Sequence, residues 1–147
     1  MTAPNVPTPL RISFSPPPGR SVLVVDDEPI IRRIAQLSLT GAGYAVSEAG
    51  DTATATSAIQ SAAAPFDLVL LDLTLPDGDG ATVIPAIRKH APAARILVVS
   101  GLGELDPASV GADAFLSKPF TKSSLLIAVQ FVLTKGQSTP MTPPDAV

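Results

Sequence analysis

The stretch Asp67–Gly80, DLVLLDLTLPDGDG, decides how the chain is read. Leu68, Val69, Leu70 and Leu71 make an apolar run of one strand's length, and Asp72 follows without a break. Pro76, Gly78 and Gly80 then enforce a turn. An apolar run without alternation predicts a strand buried on both faces, as in parallel sheets. Such a strand delivers the acid at its end to the carboxyl edge of the sheet, where open α/β sheets bind ligands.

The flanking segments supply the partners of this strand. Ser21–Val25 is a second apolar run, SVLVV, ending in Asp26, Asp27 and Glu28. Pro29 suits the first turn of a helix, where its missing N–H costs nothing. Ile30, Ile34, Leu37 and Ser38 recur at helical spacing, and Gly41 and Gly43 close that helix. Residues 44–49 predict another strand, and Asp51 or Thr52 caps an alanine-rich helix reaching about Ala63. Beyond Asp72, Asp79 caps a helix over residues 80–90 with Pro85 inside it. The proline ring would displace the bond to Ala81 and kink the helix, at a cost of up to about 3 kcal/mol.

Residues 95–99 give the fourth strand, ending at Ser100-Gly101, and residues 114–116 give the fifth, leading into Ser117, Lys118 and Pro119. Between them Asp106-Pro107 starts a helix that Gly111 cuts to barely one turn. Thr121 caps a last helix ending near Lys135 and Gly136. Strands alternating with helices predict an α/β fold: a flavodoxin-like (βα)5 doubly wound parallel sheet, order 2-1-3-4-5, with its fourth helix short or missing.

Composition narrows the function classes. The chain has 147 residues, one domain's worth, with 46% hydrophobic and 16% charged residues. A net charge of −3 gives no electrostatic footprint for nucleic acid. No apolar run reaches the roughly 18 residues of a membrane span, and the start lacks a signal-peptide pattern. No membrane insertion and a cytoplasmic location are therefore expected. The absence of cysteine excludes disulfides and thiolate chemistry, and His90 is the only histidine. Residues 1–19 and 137–147, rich in proline with serine and threonine, read as a disordered leader and tail around a domain spanning 20–136.

In the order 2-1-3-4-5, strands one and three are neighbours. Asp26, Asp27 and Asp72 then converge at one edge, with Ser100 and Lys118 beside them. A like-charged pair 4 Å apart costs roughly 4 kcal/mol at an effective dielectric of about 20. Three such carboxylates need a cation, and an all-oxygen, cysteine-free set that leaves room for a phosphate suits Mg²⁺. Lys118 adds positive charge, and the Ser100 hydroxyl adds a hydrogen-bond donor. Acid, divalent cation, lysine and hydroxyl together fit phosphoryl transfer, with Asp72 as the nucleophile.

The motifs VVDDEP at 24–29, DLTLPDGDG at 72–80, VVSG at 98–101 and FLSKPF at 115–120 stand in an order and spacing that resembles the response regulator receiver domain, the chemotaxis-regulator-like family. The resemblance covers about residues 21–135. It implies that Asp72 accepts a phosphoryl group from a sensor histidine kinase or a histidine phosphotransfer protein. It implies that Asp26, Asp27, Asp72 and the Thr74 backbone carbonyl hold Mg²⁺, and that Lys118 contacts the phosphoryl oxygens. Ser100 would move toward the phosphate and the Phe115 rotamer would follow. The protein would be a self-phosphorylating and autodephosphorylating switch rather than a turnover enzyme. The resemblance also implies a cis Lys118–Pro119 bond, and a readout face of fourth helix, fifth strand and fifth helix for a downstream protein partner.

The interval from Ser100 to Phe115 is about one helical turn shorter than the family pattern, so the fourth helix of that face is short or replaced by a loop. No output domain is read, which makes the chain resemble a stand-alone receiver. The last helix is apolar on more than one face, through Leu125, Leu126, Ile127, Val129, Phe131, Val132 and Leu133. Its exposed remainder is a candidate surface for a homodimer or a partner. Arg32 and Arg33 read as solvated or as kinase contacts, Glu28 as solvent-facing or tuning the site, and Phe115 also as a plain core aromatic. The alternative function is a phosphorylation-independent receiver-like protein-binding module. A flavin binder would carry a hydroxyl- and glycine-rich loop where Asp26-Asp27-Glu28 stands. A dedicated aspartyl phosphatase would carry a carboxylate where Thr74 stands.

Overall fold

The computed structural model describes residues 20–101 and 106–134, so the expected leader and tail lie outside the described residues. Five parallel strands form one sheet: β1 (Ser21–Val25), β2 (Ala45–Ala49), β3 (Leu68–Asp72), β6 (Arg95–Ser100) and β7 (Ala114–Ser117). Their spatial order is β2-β1-β3-β6-β7, the order expected from the alternating pattern. Among the described residues four α-helices cover the sheet: α1 (Pro29–Gly41), α2 (Thr52–Ser61), α3 (Ile84–His90) and α4 (Lys122–Thr134).

Central β3 is buried along its whole length, as its unbroken apolar run requires. Alternation along the strands splits the core in two. Leu23, Val25, Val69, Leu71, Ile96 and Val98 pack with Ala55 and Ile59 of α2 and Ile84 and Ile87 of α3. Val22, Val24, Leu68, Leu70, Leu97 and Val99 pack on the other face with Ala35 and Leu39 of α1 and Leu125, Val129 and Val132 of α4. Each of the Val, Leu and Ile side chains contributes roughly 1.5–3 kcal/mol by leaving water, which pins the sheet from both sides.

The helix expected over residues 80–90 is two elements, and Pro85 kinks neither. Gly80–Val83 is a 3₁₀ turn whose start Asp79 caps, its carboxylate accepting from the Ala81 N–H at 2.8 Å. The α-helix proper starts at Ile84, which puts Pro85 in its first turn. There the missing N–H has no intrahelical partner to lose. The fourth crossover is as short as the sequence indicated: its described part holds a 3₁₀ turn, Pro107–Val110, capped by Asp106 and closed by Gly111 at φ 84°. Arg88 at the end of α3 anchors that crossover, donating to the carbonyls of Ala94 at 2.8 Å and Gly111 at 2.9 Å.

The helical spacing of Ile30, Ile34, Leu37 and Ser38 locates α1, but of these only Ser38 lies on its inner face. Ala35, Ser38 and Leu39 face the core, while Ile30 is 72% and Leu37 56% exposed. On α4 the inner stripe is Leu125, Val129, Val132 and Leu133, and Ile127 and Phe131 stand in solvent at 67% and 59%.

The glycine-rich turn after β3 contains a miniature antiparallel hairpin, β4 (Thr74–Leu75) with β5 (Gly78–Asp79). Its tip residue Asp77 reaches across to the start of α2. Its carboxylate accepts from the Thr52 N–H at 2.9 Å, the Thr52 hydroxyl at 2.8 Å and the Ala53 N–H at 3.2 Å. Bonds from Thr52 hold this carboxyl below its ordinary value of 3.8. A group of that kind stabilises the fold above its unfolded pKa and stops doing so as pH falls through the folded one. Asp77→Ala should therefore lower the thermal midpoint at neutral pH, and the gap from the parent should close as pH falls below 3.8. Unfolding curves across a pH series check this; a gap that stays constant down to acid would show that the Asp77 charge is not what ties the hairpin to the start of α2.

Candidate functional site

Strand register builds the site. Val25 stands opposite Leu71 in the β1–β3 ladder, so the next residues, Asp26 and Asp72, come side by side. Asp72 stands opposite Val99, and Ser100 opposite Ser117, so Ser100 and Lys118 close the same edge one step further. The Lys118 N–H donates to the Ser100 carbonyl at 2.9 Å, which carries the sheet pattern up to the lysine itself. The Lys118–Pro119 bond is cis.

Asp26 and Asp72 are both buried, and each is oriented in the same way. Oδ1 of Asp26 accepts from the Glu28 N–H at 2.9 Å, and Oδ1 of Asp72 from the Thr74 N–H at 3.0 Å. These bonds, each to the backbone two residues on, fix the carboxylate planes and leave both Oδ2 atoms facing the cleft. Asp27 is exposed, and the three acids can offer oxygens that all lie within 4.8 Å of one another.

Lys118 is the counterion. Its Nζ lies 2.8 Å from Asp26 Oδ2, 3.1 Å from Asp72 Oδ2 and 3.0 Å from Glu28 Oε1. Burial alone would lower the lysine pKa, but hydrogen bonds to Asp26, Glu28 and Asp72 outweigh it and push the pKa well above the ordinary 10.5. Burial pushes the Asp26 carboxyl above its ordinary value despite the bonds from Lys118 and the Glu28 amide, and the charge on Asp72 adds to that rise. Two buried acids compressed around one ammonium are thus electrostatically loaded, and a second cation would relieve them.

Asp27, Glu28, Asp72, Thr74, Gly101 and Lys118 line an open cleft of about 370 Å³. A hard oxygen set on a cleft of this kind fits a divalent cation that keeps part of its water. Ser100 is buried at the end of β6 beside the cleft. Phe115 is half-buried against the α2–α3 side of the core, outside the cleft lining. Among the residues singled out in the sequence, Asp26, Asp27, Asp72 and Lys118 are brought together, Thr74 shares their cleft, and Phe115 does not touch it.

Two further residues take part, Glu28, for which the sequence left solvent or a tuning role open, and Arg32, whose role the sequence did not show. Glu28 is mostly exposed, yet it holds Lys118. Arg32 does not simply face solvent: its guanidinium donates to the Asp26 carbonyl at 2.7 Å and pairs with Glu48 at 3.2 Å. The neighbouring Arg33 is exposed.

The family model of the response regulator receiver domain matches residues 22–130, and the chain belongs to that family of two-component signalling proteins. The KDP operon transcriptional regulatory protein KdpE of Escherichia coli K12 is 36% identical over 129 residues, covering 85% of this chain and 55% of KdpE. The chain thus spans about half the length of that relative. The chemotaxis response regulator CheY4 of Vibrio cholerae has the same fold, with a TM-score of 0.70 and 32% identity over 78% of this chain and 98% of its own. A response regulator protein from Burkholderia pseudomallei, solved with a phosphorylated aspartic acid, a calcium ion and citrate, is 30% identical. Its TM-score is 0.68, over 80% of this chain and 71% of its own. Among the described residues no helix is long and apolar enough to cross a membrane.

Proposed function

We propose that this receiver is a phosphoryl-accepting switch with Asp72 as the acceptor. The observation that carries the proposal is the pairing of a buried carboxylate with a shared ammonium: Asp72 Oδ2 lies 3.1 Å from Lys118 Nζ, inside a cluster that includes Asp26 and Asp27. Asp72 Oδ2 attacks the phosphorus of a phosphohistidine on a sensor kinase or phosphotransfer protein. The new O–P bond forms as the N–P bond breaks, and the imidazole nitrogen leaves with the electron pair and takes up a proton. Asp26, Asp27, Asp72 and the Thr74 carbonyl would hold Mg²⁺, which when bound supplies neutralising charge to the phosphoryl oxygens.

The remaining work falls to residues of the chain. Lys118 exchanges a carboxylate oxygen for a phosphoryl oxygen. The Ser100 hydroxyl donates to a second oxygen, and Phe115, one strand over, repacks as the loop after β6 is drawn in. Inverting a two-state equilibrium from 1:99 to 99:1 takes about 5.5 kcal/mol. A few charge-assisted hydrogen bonds at about 1.5–3 kcal/mol each supply it. The exposed apolar side chains of α1 and α4 support a protein partner as the recipient of the signal. The phosphorylated aspartic acid and calcium ion in the Burkholderia pseudomallei relative support the same chemistry here.

Incubation with acetyl phosphate and Mg²⁺, followed by intact mass, tests the proposal. The parent should gain one phosphoryl group, and Asp72→Asn should gain none. An unmodified parent that still binds Mg²⁺ would point instead to a binding module that works without phosphate.

A further inference from the structure

Arg32 stands outside the cleft, yet its bonds converge on the backbone between the two cation-facing acids. Its NH1 donates to the Asp26 carbonyl at 2.7 Å. That carbonyl belongs to the peptide unit joining Asp26 to Asp27. From the other side, the Asp26 N–H donates to the Ala49 carbonyl at 3.0 Å, so the residue is held by both of its backbone polar groups. The second arm of the fork, Nε, is anchored at 3.2 Å to Glu48 Oε1 on β2. A Cβ on Gly50 would stand 3.1 Å from NH1, so a side chain there would press directly on the guanidinium. The two peptide units that flank Asp26 are thus held by β2 and by Arg32 of α1, and Glu48 and Gly50 bound the guanidinium in turn.

We infer that Arg32 is a positioning residue for the divalent site. It sets the orientation of the Asp26–Asp27 peptide so that both carboxylates address one cation, and Glu48 and Gly50 hold the guanidinium to that task. The inference rests on the reading of the acid cleft as a Mg²⁺ site. A planar guanidinium satisfies a carbonyl and a carboxylate at once, whereas a lysine ammonium carries the same charge without the fork. Charge and position also pull in opposite directions. Removing a nearby cation should tighten Mg²⁺ by weakening repulsion, while losing the clamp should loosen it.

Isothermal titration of the full chain with Mg²⁺ separates these effects, run well below each variant's metal-free unfolding midpoint. Arg32→Lys keeps the charge and should weaken Mg²⁺ binding about tenfold, the scale seen when a ligand's supporting partner is lost. Arg32→Gln and Gly50→Ala should weaken it as well. Arg33→Gln, the same charge change one residue on, should leave it unchanged or slightly tighter. Parent-like affinity in Arg32→Lys, or tighter binding in Arg32→Gln, overturns the positioning role and leaves Arg32 a brace or a mere charge. A parent chain that takes no Mg²⁺ overturns the cleft assignment itself, which is a different result from a parent that binds and variants that bind equally well.

Discussion

Gly80→Ala should cost the protein its phosphorylation and a large part of its stability together. An added Cβ at this position would fall on the Asp72 carbonyl oxygen, 2.9 Å from Leu73 Cα and 3.0 Å from the Asp72 carbonyl carbon. All three obstacles are backbone, so no side chain can rotate away to make room. The segment also closes on itself here, with the Gly80 N–H donating to the Leu73 carbonyl at 2.8 Å. Relief requires the hairpin of β4 and β5 to move away from the end of β3, breaking that bond and tilting the Asp72 carboxylate. Overpacking of this kind costs about 1–3 kcal/mol, occasionally more, and rigid neighbours put this case at the upper end. Urea unfolding should register the loss, and acetyl phosphate labelling of the fraction still folded should fall well below that of the parent. A folded, fully labelled variant would mean that the turn is loose enough to absorb a methyl group, and that the orientation of Asp72 does not depend on it.

Much of this architecture is legible in the chain because strand register obeys simple counting. Unbroken runs of Val and Leu fix β1, β3 and β6 as strands buried on both faces, and the residue after each run is delivered to one edge. Asp26, Asp72 and Ser100 therefore needed no long-range information. Asp27 follows its neighbour, and Lys118 follows a shorter run. The contacts made outside the ladders are less visible. Arg32 binds a backbone carbonyl, a group every residue has, so nothing in its spacing distinguished it from Arg33. Ile30, Ile34, Leu37 and Ser38 give the right period for α1, but of the four only Ser38 lies on the covered face, which it shares with Ala35 and Leu39. Periodicity reports a helix; the sheet beneath decides which stripe is covered. A kink at Pro85 requires an α-helix that already runs from Gly80. A 3₁₀ turn absorbs Gly80–Val83 and resets the count. Strands of two residues, such as β4 and β5, are too short for any alternation to show.

Lys118→Ala isolates the electrostatic load at the site. In metal-free buffer at neutral pH the variant retains the buried carboxylates of Asp26 and Asp72 but loses the ammonium that lies 2.8 and 3.1 Å from them. Breaking a fully buried pair costs about 3–5 kcal/mol, and the open flank beside Asp27 and Glu28 lowers the expected loss to about 2–3 kcal/mol. The sign of the pH dependence follows from the acids. Burial already holds the Asp26 carboxyl above its ordinary 3.8, and without the lysine it rises further, so stability is lost as pH climbs from 3.8 through that raised value and is recovered on acidification. Mg²⁺ should recover it as well, because a ligand bound only by the folded state stabilises it; with the ammonium gone there is no internal cation to displace. Denaturant unfolding at neutral and mildly acid pH, each with chelator or with Mg²⁺, should therefore show a deficit confined to the neutral, metal-free arm. Recovery by Mg²⁺ without recovery of acetyl phosphate labelling would assign the lysine to both tasks, counterion before the transfer and phosphoryl contact during it. A variant as stable as the parent in chelator would mean that Glu28, Asp26 and Asp72 hold the lysine only loosely in solution, and the loaded pocket would have to be abandoned as the basis for cation binding.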